Sequence, residues 1–232
     1  MSNAPSPDPT AALVAAAGAA DPVADRLAFD RQWSALRAAL AGPVPSALRT
    51  WAAELAEQGA ALSLLGTGLR GPRYEALLWN GARCPAAVVL ITGLLTAPPG
   101  TTTDDLAAAV AAGVRVNDAL RALAPPGPAL ASLATVGCAV TACRPGPAAL
   151  GTTIDLAASL MVLGSTAAVP GATRADLVRS GHPVASGWLA SRLLAAEFTA
   201  MPGGLAATLT AVGGQTAPPP ATTVSGLLDT VR

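Results

Sequence analysis

The chain has no lysine, one histidine, one tyrosine, two phenylalanines and four tryptophans. Without lysine there is no Schiff base, no lysine general base and no P-loop lysine. With His182 as the only histidine, no metal motif that needs a second His can be written. The cysteines are Cys84, Cys138 and Cys143, an odd number with no CxxC spacing. That excludes a disulfide framework and a thiolate zinc site, and it fits a reducing compartment. Cys138 and Cys143 sit in an apolar stretch and are expected to act as small buried hydrophobes. Net charge is absent too: 14 Arg balance 14 Asp and Glu. Nucleic-acid binding rests on a basic excess, so no nucleic-acid partner is expected, and no polybasic membrane patch either. No cofactor and no metal are expected.

What is present is apolar. Of 232 residues, 52% are hydrophobic and 12% charged, so the chain can bury a core and is not disordered as a whole. The apolar run 86–95 is too short to span a bilayer, and 150–169 is broken by glycines and Asp155. The run 11–20 lacks the basic start of a secretory signal. A soluble, cytoplasmic protein is expected.

Periodicity predicts helices. Phe29, Trp33, Leu36 and Leu40 make one stripe of a helix over 24–41, stopped by Gly42-Pro43. A second helix is expected over 45–58, with Ser46 as cap and Gly59 as stop. Residues 62–65 read as an extended segment before Gly66-Thr67-Gly68. Helices then follow over 74–80, closed by Gly81, over 85–96, and from a cap at Thr101, Thr102 or Thr103 to Leu123. Further helices are expected over 130–143, 154–163 and 185–196. The expectation is all-α, with a mobile tail over 1–23, a helical domain over 24–205, and a Gly/Pro/Thr-rich tail over 206–232.

Few motifs carry chemistry. Gly66-Thr67-Gly68-Leu69-Arg70-Gly71 has GxGxxG spacing but no helix start after it, so it is read as a turn. Glu54 and Glu57, and Asp104 and Asp105, read as a solvated face and a helix start. The polar concentration is Arg174–Gly187, taken as a loop leading into the last helix. Here His182 or Asp176 could move a proton, and Arg179 or Arg174 could hold a carboxylate or an enolate. Ser186 would cap the helix, and Ser186, Asn80, Trp79 and Trp188 are candidates to touch a ligand; the alternative site is a cavity lined by Trp79, Trp188 and Met161.

The run Gly181-His182-Pro183-Val184-Ala185-Ser186-Gly187, followed by a Leu/Ala-rich helix and Phe198-Thr199, resembles the MmgE/PrpD family. Leu65-Gly66-Thr67-Gly68, Leu78-Trp79-Asn80-Gly81, Leu106–Val116 and Thr135–Ala142 resemble further stretches of it, in order, over roughly 24–205. That family includes 2-methylcitrate dehydratase and cis-aconitate decarboxylase. The resemblance implies a compact all-α core like the family's large domain, without its α/β lid, and a homodimer. It does not carry the family's reaction over. Asn80-Gly81 runs almost directly into Ala82-Arg83-Cys84-Pro85 where the family has a His- and Asp-rich stretch, and the family's Lys has no counterpart. The expected function is a repurposed, cofactor-free lyase, isomerase or cyclase. Its substrate would be a small, mostly apolar carbonyl-bearing intermediate of bacterial specialised metabolism; the Arg-rich, Lys-free composition resembles actinobacterial proteins. The alternatives are a non-catalytic dimer partner and a residual dehydratase or decarboxylase of a small tricarboxylate.

Overall fold

The computed structural model describes residues 8–124, 133–144, 146–161 and 174–211, without the side chains of Pro147 and Arg174. The elements run α1 Pro9–Gly18, α2 Pro22–Ala41, α3 Ser46–Gln58, β1 Leu62–Ser63, β2 Arg70–Gly71, α4 Arg73–Arg83, a 3₁₀ turn Pro85–Ala87, α5 Val88–Thr96, α6 Thr103–Leu123, α7 Ala134–Cys143, α8 Pro147–Ser159, α9 Arg174–Ala195 and α10 Gly204–Ala211. The fold is all-α. Its sheet among the described residues is one antiparallel pair, with Leu62 opposite Gly71 and Ser63 opposite Arg70. The glycine turn expected over 66–68 joins these strands, and Gly66 and Gly68 take φ of 80° and 74°.

Helix α9 lies at the centre. It packs on α4 on one side and on α7 on the other, α7 packs on α6, and α1 and α10 lie against α8. Two apolar clusters result. One gathers Phe29, Leu36, Trp51, Leu77, Trp79 and Ile91; the other gathers Leu13, Val116, Leu120, Ile154, Leu205 and Leu209. Helix α9 contributes Val184 and Ala185 to the first and Ala190 to the second, so it joins them.

Several boundaries differ from the sequence reading. The expected tail over 1–23 holds α1, which Asp8 caps by accepting from Thr10 N at 3.0 Å, with Pro9 in its first turn. Leu13 is fully buried, and Thr10 Oγ1 donates to Asp155 of α8 at 2.9 Å. Arg115 of α6 closes the other end, donating to Ala16 O at 3.0 Å and Ala17 O at 2.7 Å and pairing with Asp25 of α2. A cation on the last carbonyls of a helix offsets its dipole. At the C-terminal side, α10 crosses the expected boundary at 205–206; residues 212–232 lie outside the described residues.

Gly81 does not stop α4, which runs on to Arg83. Helix α8 starts seven residues before the expected Ile154, with Pro147 in its first turn. The expected stripe of α2 is split: Phe29 and Leu36 are buried, while Trp33 and Leu40 stay partly exposed, Trp33 stacking on Phe29 at 6.4 Å. Of the expected caps, Thr102 is the one used on α6; it forms a capping box with Asp105.

The largest correction concerns 174–187. It is not a loop but the first half of α9, with Pro183 inside the helix. An internal proline costs about 3 kcal/mol of helix stability. Tertiary packing offsets this here: Pro183, Val184, Ala185, Ser186 and Gly187 are all buried between neighbouring helices.

Candidate functional site

Because 174–187 is helical, its polar residues fan around an axis instead of converging. Asp176 and Arg179 lie three apart and pair with each other at 3.3 Å. Ser186 sits in mid-helix, so it is not the cap, and no helix N-terminus opens at His182 to hold an anion. His182 Nε2 lies 3.0 Å from Leu160 O, at the C-terminal end of α8, and 2.8 Å from Ser186 Oγ. A carbonyl only accepts, so the Leu160 contact requires the proton on Nε2. His182 therefore ties α9 to α8. The side chain of Arg174 lies outside the described residues.

The alternative cavity of Trp79, Trp188 and Met161 does not come together, since Trp79 and Trp188 belong with the first apolar cluster and Met161 packs against the second. Trp79 is fully buried and donates from Nε1 to Leu48 O at 2.9 Å. Asn80 is also fully buried; its Nδ2 donates to Ser63 O at 2.9 Å and its Oδ1 accepts from Leu65 N at 2.9 Å. Both side chains fasten α4 to the preceding segments and offer a ligand no surface. Trp188, half-buried, packs against the first apolar cluster. Among the described residues no group of three His, Cys, Asp or Glu could hold a metal ion. Burial pushes the Cys138 and Cys143 thiols up to about 12, which removes the thiolate a nucleophile needs.

One cleft does gather unused polar groups. It encloses about 250 Å³ between α2, the 3₁₀ turn, α5, α6, α7 and α9. Val88, Val89, Val114, Ala134 and Pro183 make its apolar walls, and Gln32, Asn117, Asp118, Arg121 and Ser180 its polar ones. Ser180 is the one member of the 174–187 segment besides Pro183 that reaches it. Its hydroxyl donates to Asp176 O at 2.8 Å, leaving the oxygen as an acceptor. Gln32 is committed to the wall, donating to Ala86 O at 3.1 Å and accepting from Leu90 N at 3.4 Å.

The rest of the polar wall is one turn of α6. Buried Asn117 accepts from the N–H of Gly137 in α7 at 3.0 Å, which fixes its side chain and leaves its NH₂ as a donor. Asp118 and Arg121 follow it, and neither has a hydrogen bond or ion pair with another described residue. An acceptor-only carboxylate, a cation with a fixed fork of donors and an amide NH₂ thus border one small space. The sequence reading singles out neither Asp118 nor Arg121, and both lie exposed on the helix at the edge of the cleft. The available signal was Asn117, a polar residue at a core position of an alanine-rich helix.

No protein-family model matches the chain, and no curated protein matches it.

Proposed function

We propose that the chain is an enzyme of the lyase, isomerase or cyclase type, acting on a small carbonyl-bearing molecule in the cleft of Asn117, Asp118, Arg121 and Ser180. The observation that carries this reading is that Asp118 and Arg121, exposed at the rim and without partners among the described residues, stand beside buried Asn117 at one open cleft. Arg121 and the Asn117 NH₂ would donate to the carbonyl or carboxylate oxygen, where negative charge grows when a proton leaves the neighbouring carbon. Asp118 would take that proton and return it elsewhere on the substrate. A volume of about 250 Å³ is just below the roughly 300–1,000 Å³ that drug-sized ligands occupy, so the substrate is small. An all-α core is what the MmgE/PrpD resemblance implies, and this reading puts the proton chemistry on α6 instead of the His182 segment.

Proton abstraction next to a carbonyl can be read without knowing the product. The protein is incubated in D₂O with a panel of small oxo-acids and with 2-methylcitrate and cis-aconitate, and exchange and turnover are followed by NMR. The expected result is exchange or conversion of at least one compound. It should fall by about 10²–10⁴ in Asp118→Asn and persist in His182→Ala. If no compound exchanges or converts, or if Asp118→Asn keeps full rate, the reading fails.

A further inference from the structure

A second, larger space lies on the opposite side of α6. It is a groove of about 660 Å³ between α1, α6, α7 and α8. Val14, Ala108, Ala112, Val140 and Leu150 make it apolar along its length. At one end stand two charged residues, Arg144 and Asp105.

Arg144 is unusual in two independent ways. It ends α7 in the left-handed region, at φ 46° and ψ 50°, where a residue with a Cβ is strained by about 1–3 kcal/mol. Its guanidinium is also underused. Nη1 donates to Thr101 Oγ1 at 3.0 Å, while Nε and Nη2 are shut off from water with no acceptor among the described residues. Arg144 as a whole is half-buried, but each guanidinium N–H that is shut off from water without an acceptor costs about 1–3 kcal/mol. The Asp105 carboxylate faces this charge, but two guanidinium nitrogens without acceptors, on a residue held in a sparsely populated conformation beside a cavity, point to a ligand that supplies the missing acceptor.

Asp105 does not supply it. Its Oδ2 accepts from Thr102 Oγ1 at 2.7 Å and Thr102 N at 3.3 Å, which commits it to capping α6. Its charge nonetheless stands at the same end of the groove and opposes a second negative charge on a ligand. The first turn of α8 begins three residues after Arg144, without a side-chain cap and without an acidic residue, and so adds to the local preference for one anion.

We propose that this groove binds a monocarboxylate with an extended apolar body, the carboxylate meeting the Arg144 guanidinium as its side chain turns into the groove and the body lying along Ala108, Ala112 and Val140. The volume is within the range of about 300–1,000 Å³ for clefts that enclose ligands of this kind. The proposal is independent of the Asp118 cleft, because it shares no lining residue with it.

The test is isothermal titration of the full chain with decanoate below its micelle concentration, against decanamide, which has the same body without the charge. Decanoate is expected to bind saturably at one site. Binding should be at least tenfold weaker for decanamide, for Arg144→Met, and for Ala112→Phe, which fills the groove and leaves Arg144 in place. No saturable binding of decanoate, equal binding of decanamide, or undiminished affinity in either variant would overturn the proposal. Should a variant fail to fold, the wild-type melt decides: decanoate must raise Tm and decanamide must not.

Discussion

A methyl group on Gly181 of α9 would stand 1.8 Å from the carbonyl oxygen of Leu78 on α4. The contact is reciprocal, since a Cβ on Gly81 would lie 2.8 Å from Gly181 Cα. The two helices cross backbone to backbone, and no flexible side chain can yield. Overpacking typically costs about 1–3 kcal/mol, occasionally more, and Gly181→Ala is expected at or above the top of that range. Gly18→Ala meets nothing within 4 Å and should leave stability unchanged or slightly raised. Urea unfolding of both variants checks this, and equal midpoints would refute the close crossing.

That crossing also explains which parts of the fold were legible. Helix α6 has its signals in order: Thr102 as cap, Asp104 and Asp105 in the first turn and Arg121 in the last. Helices α4 and α9 do not. Gly81 reads as a stop and Pro183 as a boundary, because local rules price glycine and proline by the chain around them. Gly81 is needed where α9 passes, a contact a hundred residues away in sequence. The site follows the same logic. His182 drew attention by being the sole histidine, yet its ring is held by Leu160 O. Asp118 and Arg121 gain meaning only when Pro85, Ala134 and Ser180 close a cleft around them.

Asp155 is a buried carboxylate held by three donors, one from α1 and two from the start of α10. It accepts from Thr10 Oγ1 at 2.9 Å, Gly203 N at 3.1 Å and Leu205 N at 3.1 Å. Asp155→Ala would leave three donors without an acceptor, each costing about 1–3 kcal/mol if it stays buried. A loss of roughly 3–5 kcal/mol is expected, concentrated in α1 and α10. Hydrogen exchange should show amides of both helices opening while α3 and α4 keep their protection. Uniform loss of protection would mean that Asp155 does not act as a local tie.

The thiols set the alkaline side of stability. Burial raises the Cys138 and Cys143 thiols from 9.0 to about 12, and Cys84 is raised in the same direction. The folded chain then holds these protons more tightly than the unfolded chain. Their contribution is complete below pH 9 and is lost as pH rises from 9 towards 12. Urea midpoints should fall across that interval, and less steeply in Cys143→Ala. In native protein at neutral pH, Cys138 should react with a thiol-specific disulfide reagent only as fast as the chain opens. Rapid stoichiometric labelling of Cys138 without denaturant would contradict its burial.

The capping box of α6 makes a contribution of opposite sign. The Thr102 hydroxyl, and then its backbone N–H, hold the Asp105 carboxyl below its ordinary value of 3.8. A depressed carboxyl stabilises the fold above its unfolded value and loses that effect as pH falls through the folded one. The window therefore lies below about pH 4. Thr102→Ala removes the first and largest cause, so Asp105 in the variant should titrate nearer its unfolded value. At pH 7 the variant should melt below wild type, because α6 loses a cap. As pH drops below 4 the wild type loses its Asp105 advantage and the variant has little to lose, so the two melting temperatures should converge. Calorimetric melts of both proteins between about pH 7 and pH 2.5 measure the gap. A gap that stays constant over that range would show that the Thr102 cap acts without the Asp105 charge.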